Sequence, residues 1–228
     1  GAFSCCENLR EIPDGLFRYA KRAKRFSDCF SHSGMISSIP ENLFDNCTAA
    51  EDFSYAFYGT GSGYVITNET LTSGYQDVKN LVAAGKLTSI PENLFSKCTA
   101  ATDFDYVFGA TAIGEIPSGL FAANSAIKSL NGAFSACGKL TSIPEDLLSE
   151  ATALEEVKYM FAGCESLTEI PSGLFANCSA VTGLSYIFYR TGAERLQKGI
   201  FHGWIGTAAE KGKSGCQLDS KVFFSAPN

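Results

Sequence analysis

The residues of this chain that could carry metal, redox or nucleophilic chemistry are nine cysteines and two histidines among 228 residues. No two cysteines have the Cys-x-x-Cys spacing that is typical of zinc and thiol-redox sites. His32 stands in a Ser-His-Ser-Gly segment and His202 lies far along the chain, and we predict a surface-loop position for both. A triad or a zinc site needs histidine beside a nucleophile or further ligands. We therefore predict no catalytic residue, no metal ligand and no cofactor, and a protein that is not an enzyme.

Two further classes of partner are disfavoured by composition. The glycine-rich segment Gly59–Gly63 lacks the Lys-Ser/Thr that follows a phosphate-binding loop. The net charge of −6 and the pI near 5.0 argue against a nucleic-acid partner, which favours a basic surface.

No apolar run reaches the length of about 18 residues that predicts a transmembrane segment. The opening Gly-Ala-Phe-Ser resembles the inside of a repeat, so we expect the natural N-terminus, with any export signal, to precede Gly1.

A repeat with a period of about 26 or 27 residues organises the chain. Ile-Pro pairs recur once in each period, and an apolar pair follows each proline at a fixed offset. These Ile-Pro pairs begin at Ile12, Ile39, Ile90, Ile116, Ile143 and Ile170, so the step from Ile39 to Ile90 is doubled. A second series lies half a period away and consists of Phe3, Phe30, Phe57, Phe108, Phe134, Phe161 and Phe188. Such periodicity indicates a solenoid whose stacked coils bury equivalent side chains in ladders.

The repeat also explains most of the cysteines. A compact residue follows three positions after most of the large apolar residues, and six times it is cysteine: Cys6, Cys47, Cys98, Cys137, Cys164 and Cys178. Because Thr, Ala and Asn take the same position in other coils, we interpret these cysteines as small core residues. A disulfide between stacked neighbours such as Cys137 and Cys164 is the alternative. Cys5, Cys29 and Cys216 fall outside the series and are the candidates for free or bridged thiols.

Each coil contains two arms. In the first arm, exemplified by Leu87–Phe95, the proline suits the first position of a short helical turn. In the second arm, exemplified by Leu154–Phe161, the alternation of Val157, Tyr159 and Phe161 fits a strand, but a helical spacing fits as well. We favour a short strand, because stacked coils supply parallel backbone partners.

The predicted fold is therefore an α/β repeat, a right-handed solenoid of about seven coils with short parallel strands and short helical turns. Residues 1–63 form the N-terminal coils, of which the first is truncated, and residues 64–86 an insertion with a short helix near Gln76–Ala84. A degenerate coil is the alternative for that insertion. Residues 87–204 form the remaining coils, and residues 205–228 cap the open end.

The repeat resembles a known family. The segment Leu87–Thr111 looks like a leucine-rich repeat. The Phe-Ala-Gly-Cys corner within Met160–Cys164 and the Leu-Thr-Ser-Ile segments at Leu87–Ile90 and Leu140–Ile143 are similar to BspA-like bacterial leucine-rich repeats. This resemblance implies a cell-surface or secreted protein of a host-associated bacterium, in some cases an adhesin. We expect a non-enzymatic interaction module with a protein or glycan ligand. A spacer that presents another domain of a longer protein is the alternative.

Three sets of residues are candidates for binding. The first is an interaction face on the second arms, formed by Asp52, Ser54, Asp103, Asp105, Ser129, Asn131, Glu156, Lys158 and Ser185. The second is the position shared by Tyr55, Tyr106, Tyr159 and Tyr186, which Asp28 and Gly132 occupy in two coils. We favour a core ladder for these tyrosines, whereas outward rings would line a binding face. The third is the basic run Arg18–Arg25, either a contact for an acidic polymer or anionic surface or, as we favour, a solvated face on a helical turn.

Overall fold

The coils are joined along their second arms. The structure, a computed structural model, describes residues 1–62, 84–182 and 184–193. Within these ranges no helix forms, and extended pairing is limited to four isolated parallel bridges. These bridges join Arg25 to Asp52, Asp52 to Asp103, Asp103 to Ser129 and Ser129 to Glu156. The helix predicted near Gln76–Ala84 falls almost entirely outside the described residues, and the cap predicted at 205–228 falls wholly outside them.

The backbone of the second arm is a series of overlapping β-turns. In one coil the N–H groups of Phe26, Asp28, Phe30 and His32 donate to carbonyls of the next coil at 2.7 to 2.9 Å. The intervening N–H groups of Cys29, Ser31 and Ser33 donate backwards by three residues, which closes turns. Asp28 and His32 adopt φ values of 54° and 56°, the left-handed conformation that such turns require. The same alternation recurs in the following coils.

The predicted strand in the second arm is therefore wrong, and so is the helical alternative. Tyr159 has a φ of 59°, outside both the extended and the right-handed helical regions. Alternate residues do bond to the neighbouring coil, as in a sheet, but the others close turns, so strand-like pairing is limited to one bridging residue in an arm. A strand and a series of β-turns give the same sequence pattern here, because either backbone would direct the apolar side chains inward at regular intervals along the arm.

The first arm is also built from turns rather than from a helix. In six coils the residue three positions after the proline donates its N–H to the proline carbonyl at 3.2 or 3.3 Å. The proline thus occupies the first position of a β-turn, where its missing N–H costs no hydrogen bond. A further turn at each corner, such as Phe44 to Cys47, brings the chain into the second arm.

The core consists of aromatic ladders that run through the coils. The rings of Phe3, Phe30, Phe57, Phe108, Phe134, Phe161 and Phe188 stack in that order with centroids 5.4 to 5.9 Å apart. A second ladder joins Phe17, Phe44, Phe95 and Phe121, and edge-on contacts link it to Phe26, Phe53 and Phe104. Each fully buried ring contributes roughly 1.5–3 kcal/mol of burial energy. The inward positions predicted for the phenylalanines are confirmed.

The ladder passes directly between the coils on either side of the doubled sequence step. Phe57 stacks on Phe108 at 5.5 Å, and the N–H of Lys86 donates to the carbonyl of Gly61 at 2.7 Å. Coils that lie two periods apart in sequence are thus neighbours in the stack. The domain boundaries at 63, 86 and 204 remain predictions.

In most coils the compact residue beside a large core residue is a hydrogen-bond donor as well as a spacer. Thr60 Oγ1 donates to the Phe30 carbonyl of the preceding coil at 2.7 Å, and Cys164 Sγ donates to the Phe134 carbonyl at 3.1 Å. Equivalent contacts are made by Ser33, Cys47, Cys98, Asn124 and Cys137. Ser, Thr, Cys and Asn interchange here because each is small and carries a donor. Ala20 and Ala151 fill the position without one.

The cysteines of the described part of the chain are all free, so the alternative of a Cys137–Cys164 disulfide is not realised. Five of the six in the series are buried, as predicted for core residues, and Cys6 is half-buried. Burial raises the pKa of the Cys98 and Cys178 thiols to about 12 and that of Cys137 to about 11. Cys29 is buried too, whereas Cys5 is exposed, and Cys216 lies outside the described residues.

Candidate interaction face

The residues predicted as an interaction face lie together on the outer side of the second arms. Lys158 is exposed and the others are half-buried. Their positions follow from the turns, because each bridging residue begins an arm and the residue two positions later lies on the same outer side. The surface formed by the predicted set and the tyrosines beside it is called the outer face below.

Hydrogen bonds hold the first part of the outer face in one arrangement. Asp52 Oδ1 accepts from the N–H and the hydroxyl of Ser54 at 2.9 and 2.6 Å, and its other oxygen lies 3.3 Å from Arg25 Nε. Asp103 repeats the pattern one coil later by accepting from the N–H of Asp105 at 2.9 Å. A hydrogen bond that an aspartate accepts from the backbone N–H two residues later fixes the orientation of its carboxylate.

The network then crosses between coils. Asp105 accepts from the Ser129 hydroxyl at 2.5 Å and from the Asn131 N–H at 2.8 Å. Asn131 in turn accepts from the Lys158 N–H at 2.8 Å, and the Lys158 ammonium pairs with Glu156 at 2.8 Å. Charged and amide side chains of three successive coils are thus ordered before any partner binds.

The electrostatics of the outer face are mainly acidic at its centre. Burial, together with the neighbouring carboxylates of Asp105 and Asp52, raises the pKa of Asp103, and the hydrogen bond from Asp105 opposes that shift. The hydrogen bond and charge of Glu156 raise the pKa of Lys158. Ser185 contributes its carbonyl, which accepts from the Tyr159 N–H at 3.1 Å.

The four tyrosines that share one coil position are on the outer face, not in the core as we favoured. Tyr55 and Tyr159 are 37% and 39% exposed, while Tyr106 and Tyr186 are half-buried. The rings stack in pairs, Tyr55 on Tyr106 at 4.8 Å and Tyr159 on Tyr186 at 5.0 Å. We call these four residues the tyrosine row. Burial raises the pKa of Tyr55 to about 12, and nearby tyrosine hydroxyls and the Asp105 and Asp28 carboxylates add to the shift.

Gly132 interrupts the tyrosine row, and the neighbouring ring covers the gap. Its φ of 58° matches the tyrosines of the other coils, so the backbone is unchanged. A Cβ added to Gly132 would overlap the Tyr106 ring, whose nearest atoms are its Cε1 and Cδ1. Tyr106 therefore leans over the coil that has no side chain at this position.

His32 lies in a turn, but its side chain is not fully exposed as the predicted surface-loop position implied. His32 is half-buried, with a left-handed φ of 56°, and its ring packs edge-on against Tyr58 at 5.3 Å. A Cβ on Gly59 would lie 2.6 Å from His32 Nδ1, so only glycine fits beneath that ring. The His32 ring thus packs between neighbouring coils. His202 lies outside the described residues.

A separate groove of about 530 Å³ lies between the first arms of two neighbouring coils. Its lining includes the carboxylates of Glu41 and Glu92 and the polar side chains of Ser38, Ser89 and Asn93. Among the described residues no group of three or more His, Cys, Asp or Glu could hold a metal ion. The polar side chains of the groove can form hydrogen bonds with a ligand.

Sequence comparison decides the family. BspA-type leucine-rich repeats match residues 39–204 in six copies. The chain belongs to the BspA-type leucine-rich repeat family. No curated protein sequence matches this BspA-type chain significantly.

A solved leucine-rich-repeat structure has a similar fold. The chain resembles a protein chain in the structure of the Toll–Spätzle complex of Drosophila, with a TM-score of 0.53 and 15% sequence identity. The similarity covers 86% of this chain and 21% of the chain in that complex. Two other similar structures are the APL1 leucine-rich repeat domain and the TLR13–ssRNA13 complex. Their TM-scores are 0.48 and 0.49, their identities 13% and 12%, and they cover 77% and 86% of this chain. This chain spans 21%, 35% and 30% of those three chains, respectively.

The BspA-type chain is thus a leucine-rich-repeat domain, a class of protein-interaction repeats. In the part of the chain that the structure describes, no helix is long and apolar enough to cross a membrane. The leucine-rich-repeat solenoid that we predicted is confirmed, whereas its predicted strands and helical turns are replaced by stacked β-turns.

Proposed function

We propose that this domain binds a partner protein through the outer face, as part of a cell-surface or secreted protein of a host-associated bacterium, such as an adhesin. The observation that carries the proposal is the tyrosine row, whose rings are stacked and partly exposed beside an ordered acidic network. Tyrosine offers a large contact area for little loss of side-chain entropy, and it is enriched at the centres of interfaces.

Preorganisation supports the same proposal. The Asp105–Asn131–Lys158 bonds fix side chains that would otherwise lose rotamer freedom on binding. The aromatic positions recur at about one coil spacing, so an extended partner segment that crosses the coils could contact several of them at once. The family's association with cell surfaces supports the proposed location.

The test uses the four-residue variant Tyr55→Ser, Tyr106→Ser, Tyr159→Ser and Tyr186→Ser. Wild type and variant are compared for binding to an immobilised panel of host matrix proteins. We expect the variant to lose at least about tenfold in affinity for whichever partner wild type binds, because interface tyrosines carry a large share of binding energy.

The control replaces exposed first-arm threonines, with Thr88→Ala, Thr141→Ala and Thr168→Ala, and it should bind as wild type does. Thermal unfolding of both variants verifies that the fold is retained. Unchanged binding by the tyrosine variant would contradict the proposal and favour a spacer role for the solenoid.

A further inference from the structure

A second feature stands apart from the outer face: a basic surface at the corner that precedes the second arm of the first coil. The segment Phe17–Arg25 contains five cations and no acid, in a chain of net charge −6. The local charge is thus opposite to that of the whole molecule.

Two of the five cations are used within the stack. Lys24 Nζ lies 2.6 Å from Glu51, and Arg25 Nε lies 3.3 Å from Asp52, so each pairs with an acid of the next coil. Arg18, Lys21 and Arg22 are exposed and make no ion pair with any described residue. The three cations are therefore available to a ligand.

The turns of the corner direct these side chains outward. The N–H of Ala20 donates to the Phe17 carbonyl at 2.8 Å, and the N–H of Ala23 donates to the Ala20 carbonyl at 3.0 Å. Ala20 and Ala23 pack against the core. The residues between these anchors, which include Arg18, Lys21 and Arg22, are the central residues of two successive turns. No helix is formed, so the helical turn that we favoured for this run is wrong.

Tyr19 adds an aromatic surface to the three cations. Its side chain is 83% exposed, the most exposed large apolar group of the described residues. The Arg18 guanidinium carbon lies 4.8 Å from the Tyr19 ring centroid, in cation–π contact. A guanidinium that stacks through its plane keeps the N–H donors at its edge free for an anion. Most of the ring surface is therefore open to solvent.

The other coils do not repeat this surface. At the positions of Arg18, Tyr19, Lys21 and Arg22 they carry mainly small or polar residues. The later sets are Asp45, Asn46, Thr48 and Ala49; Ser96, Lys97, Thr99 and Ala100; Ala122, Ala123, Ser125 and Ala126; Ser149, Glu150, Thr152 and Ala153; Ala176, Asn177, Ser179 and Ala180. The repeat itself does not require cations at the corner, so core packing leaves them unexplained.

From this geometry we infer that Arg18, Tyr19, Lys21 and Arg22, here named the basic corner, bind a short sulfated oligosaccharide. Arg18, Lys21 and Arg22 would hold sulfate groups through charge-assisted hydrogen bonds, and the exposed ring of Tyr19 would pack against a sugar ring. A long nucleic acid is disfavoured, because three cations neutralise few phosphates and the rest of the molecule is acidic.

The test measures binding of a heparin-derived hexasaccharide to the full chain by calorimetry, beside its chemically desulfated counterpart and a single-stranded DNA of similar charge. Wild type should bind the sulfated sugar at least about tenfold more tightly than the other two probes. The variant Arg18→Ala, Lys21→Ala, Arg22→Ala should lose at least about tenfold in affinity, with a weaker salt dependence.

A matched control removes the same charge elsewhere through Lys97→Ala, Lys128→Ala and Lys139→Ala, and it should change the affinity by less than about twofold. Tyr19→Leu, which keeps an apolar side chain without the ring, should weaken binding several-fold and leave the thermal midpoint unchanged. Equal binding of DNA or of the desulfated sugar would overturn the inference, as would equal losses in the two triple variants. The outer face is intact in the basic-corner variants, so this result is independent of the proposed function.

Discussion

At the residue scale, the compact corner residues matter because of the donors that they carry. Thr60, Cys137 and Cys164 each bond to a phenylalanine carbonyl one coil back, inside an aromatic core where no water competes. Spacing in the sequence predicts a small residue at this position. The donor could have been inferred only in part, because Ser, Thr, Cys and Asn all carry a polar hydrogen but Ala occupies the same position in two coils.

Thr60→Val tests the donor directly. Valine keeps the shape of threonine but cannot bond to the Phe30 carbonyl, so we expect a loss of about 0.5–1.5 kcal/mol in the free energy of unfolding. Thr60→Cys restores a donor of the kind found in other coils and should lose less. Chemical denaturation measures both, and equal losses would show that the hydrogen bond contributes nothing.

The buried thiols make a second prediction at this scale. In the native protein at pH 8, a thiol-specific reagent should label Cys5 quickly and Cys98, Cys137, Cys164 and Cys178 only after unfolding. Mass spectrometry of the labelled peptides reports each site. Fast labelling of Cys137 in native protein would contradict its burial.

The same thiols predict an alkaline loss of stability. Burial raises the pKa of Cys98 from 9.0 to about 12, so the folded state keeps a proton that the unfolded chain releases. The contribution of this thiol to stability is complete below pH 9 and is lost as the pH rises from 9 towards 12. Denaturation midpoints at pH 8 and pH 10.5 should therefore differ, and by less in a Cys98→Ala variant. An equal decrease in both proteins would assign the effect to other groups.

At the element scale, the second arm shows where the sequence pattern is ambiguous. Alternating apolar residues predicted a strand that would have placed Tyr159 and Phe161 on one side. In the structure the left-handed conformation at Tyr159 turns its side chain outward while Phe161 enters the ladder. One signal was available: Asp28 shares the tyrosine position, and an aspartate without a partner is unsuited to a core. The backbone conformation left a weak second signal, because Asp28 and Gly132, which share the tyrosine position, are residue types that tolerate a positive φ, whereas Tyr rarely adopts one.

Gly132→Ala tests how the tyrosine row is arranged. The added methyl would displace the Tyr106 ring, in addition to about 1 kcal/mol of strain from the positive φ. Gly119→Ala is a matched control, because Gly119 has a φ of 72° and its added Cβ would lie an ordinary 3.8 Å from Ala122. Both variants should be destabilised, but NMR spectra should show displaced Tyr106 resonances only for Gly132→Ala. Unchanged Tyr106 signals would contradict the overlap.

At the scale of the whole molecule, ladders rather than elements provide the stability. The sequence period predicted this correctly, since it fixes which side chains stack, whatever backbone connects them. The location of the outer face follows from the same period. The hydrogen-bond network of the outer face cannot be predicted from the period, because contacts such as the one between Asp105 and Asn131 depend on the small offset between neighbouring coils.

Deletion of one full coil should therefore be tolerated. Removal of residues 117–143 joins Ile116 to Pro144 and restores an Ile-Pro pair in register. We expect a folded, less stable protein with cooperative unfolding, because each coil contacts only its neighbours. Removal of residues 122–134, half a coil, mismatches the two arms and should prevent cooperative unfolding. Similar unfolding curves for the two deletions would contradict a coil-based architecture.

The most direct test of the central claim, that stacked turns place phenylalanines inward and tyrosines outward on one arm, is hydroxyl-radical footprinting of the native protein. The oxidation rates of Tyr159 and Phe161, each normalised to the unfolded chain, provide the comparison. We predict that Tyr159 is oxidised readily and Phe161 is protected, with the same contrast between Tyr55 and Phe57. Equal protection of Tyr159 and Phe161, as two residues on one side of a strand would show, would contradict the outer face and the turn-built arm together.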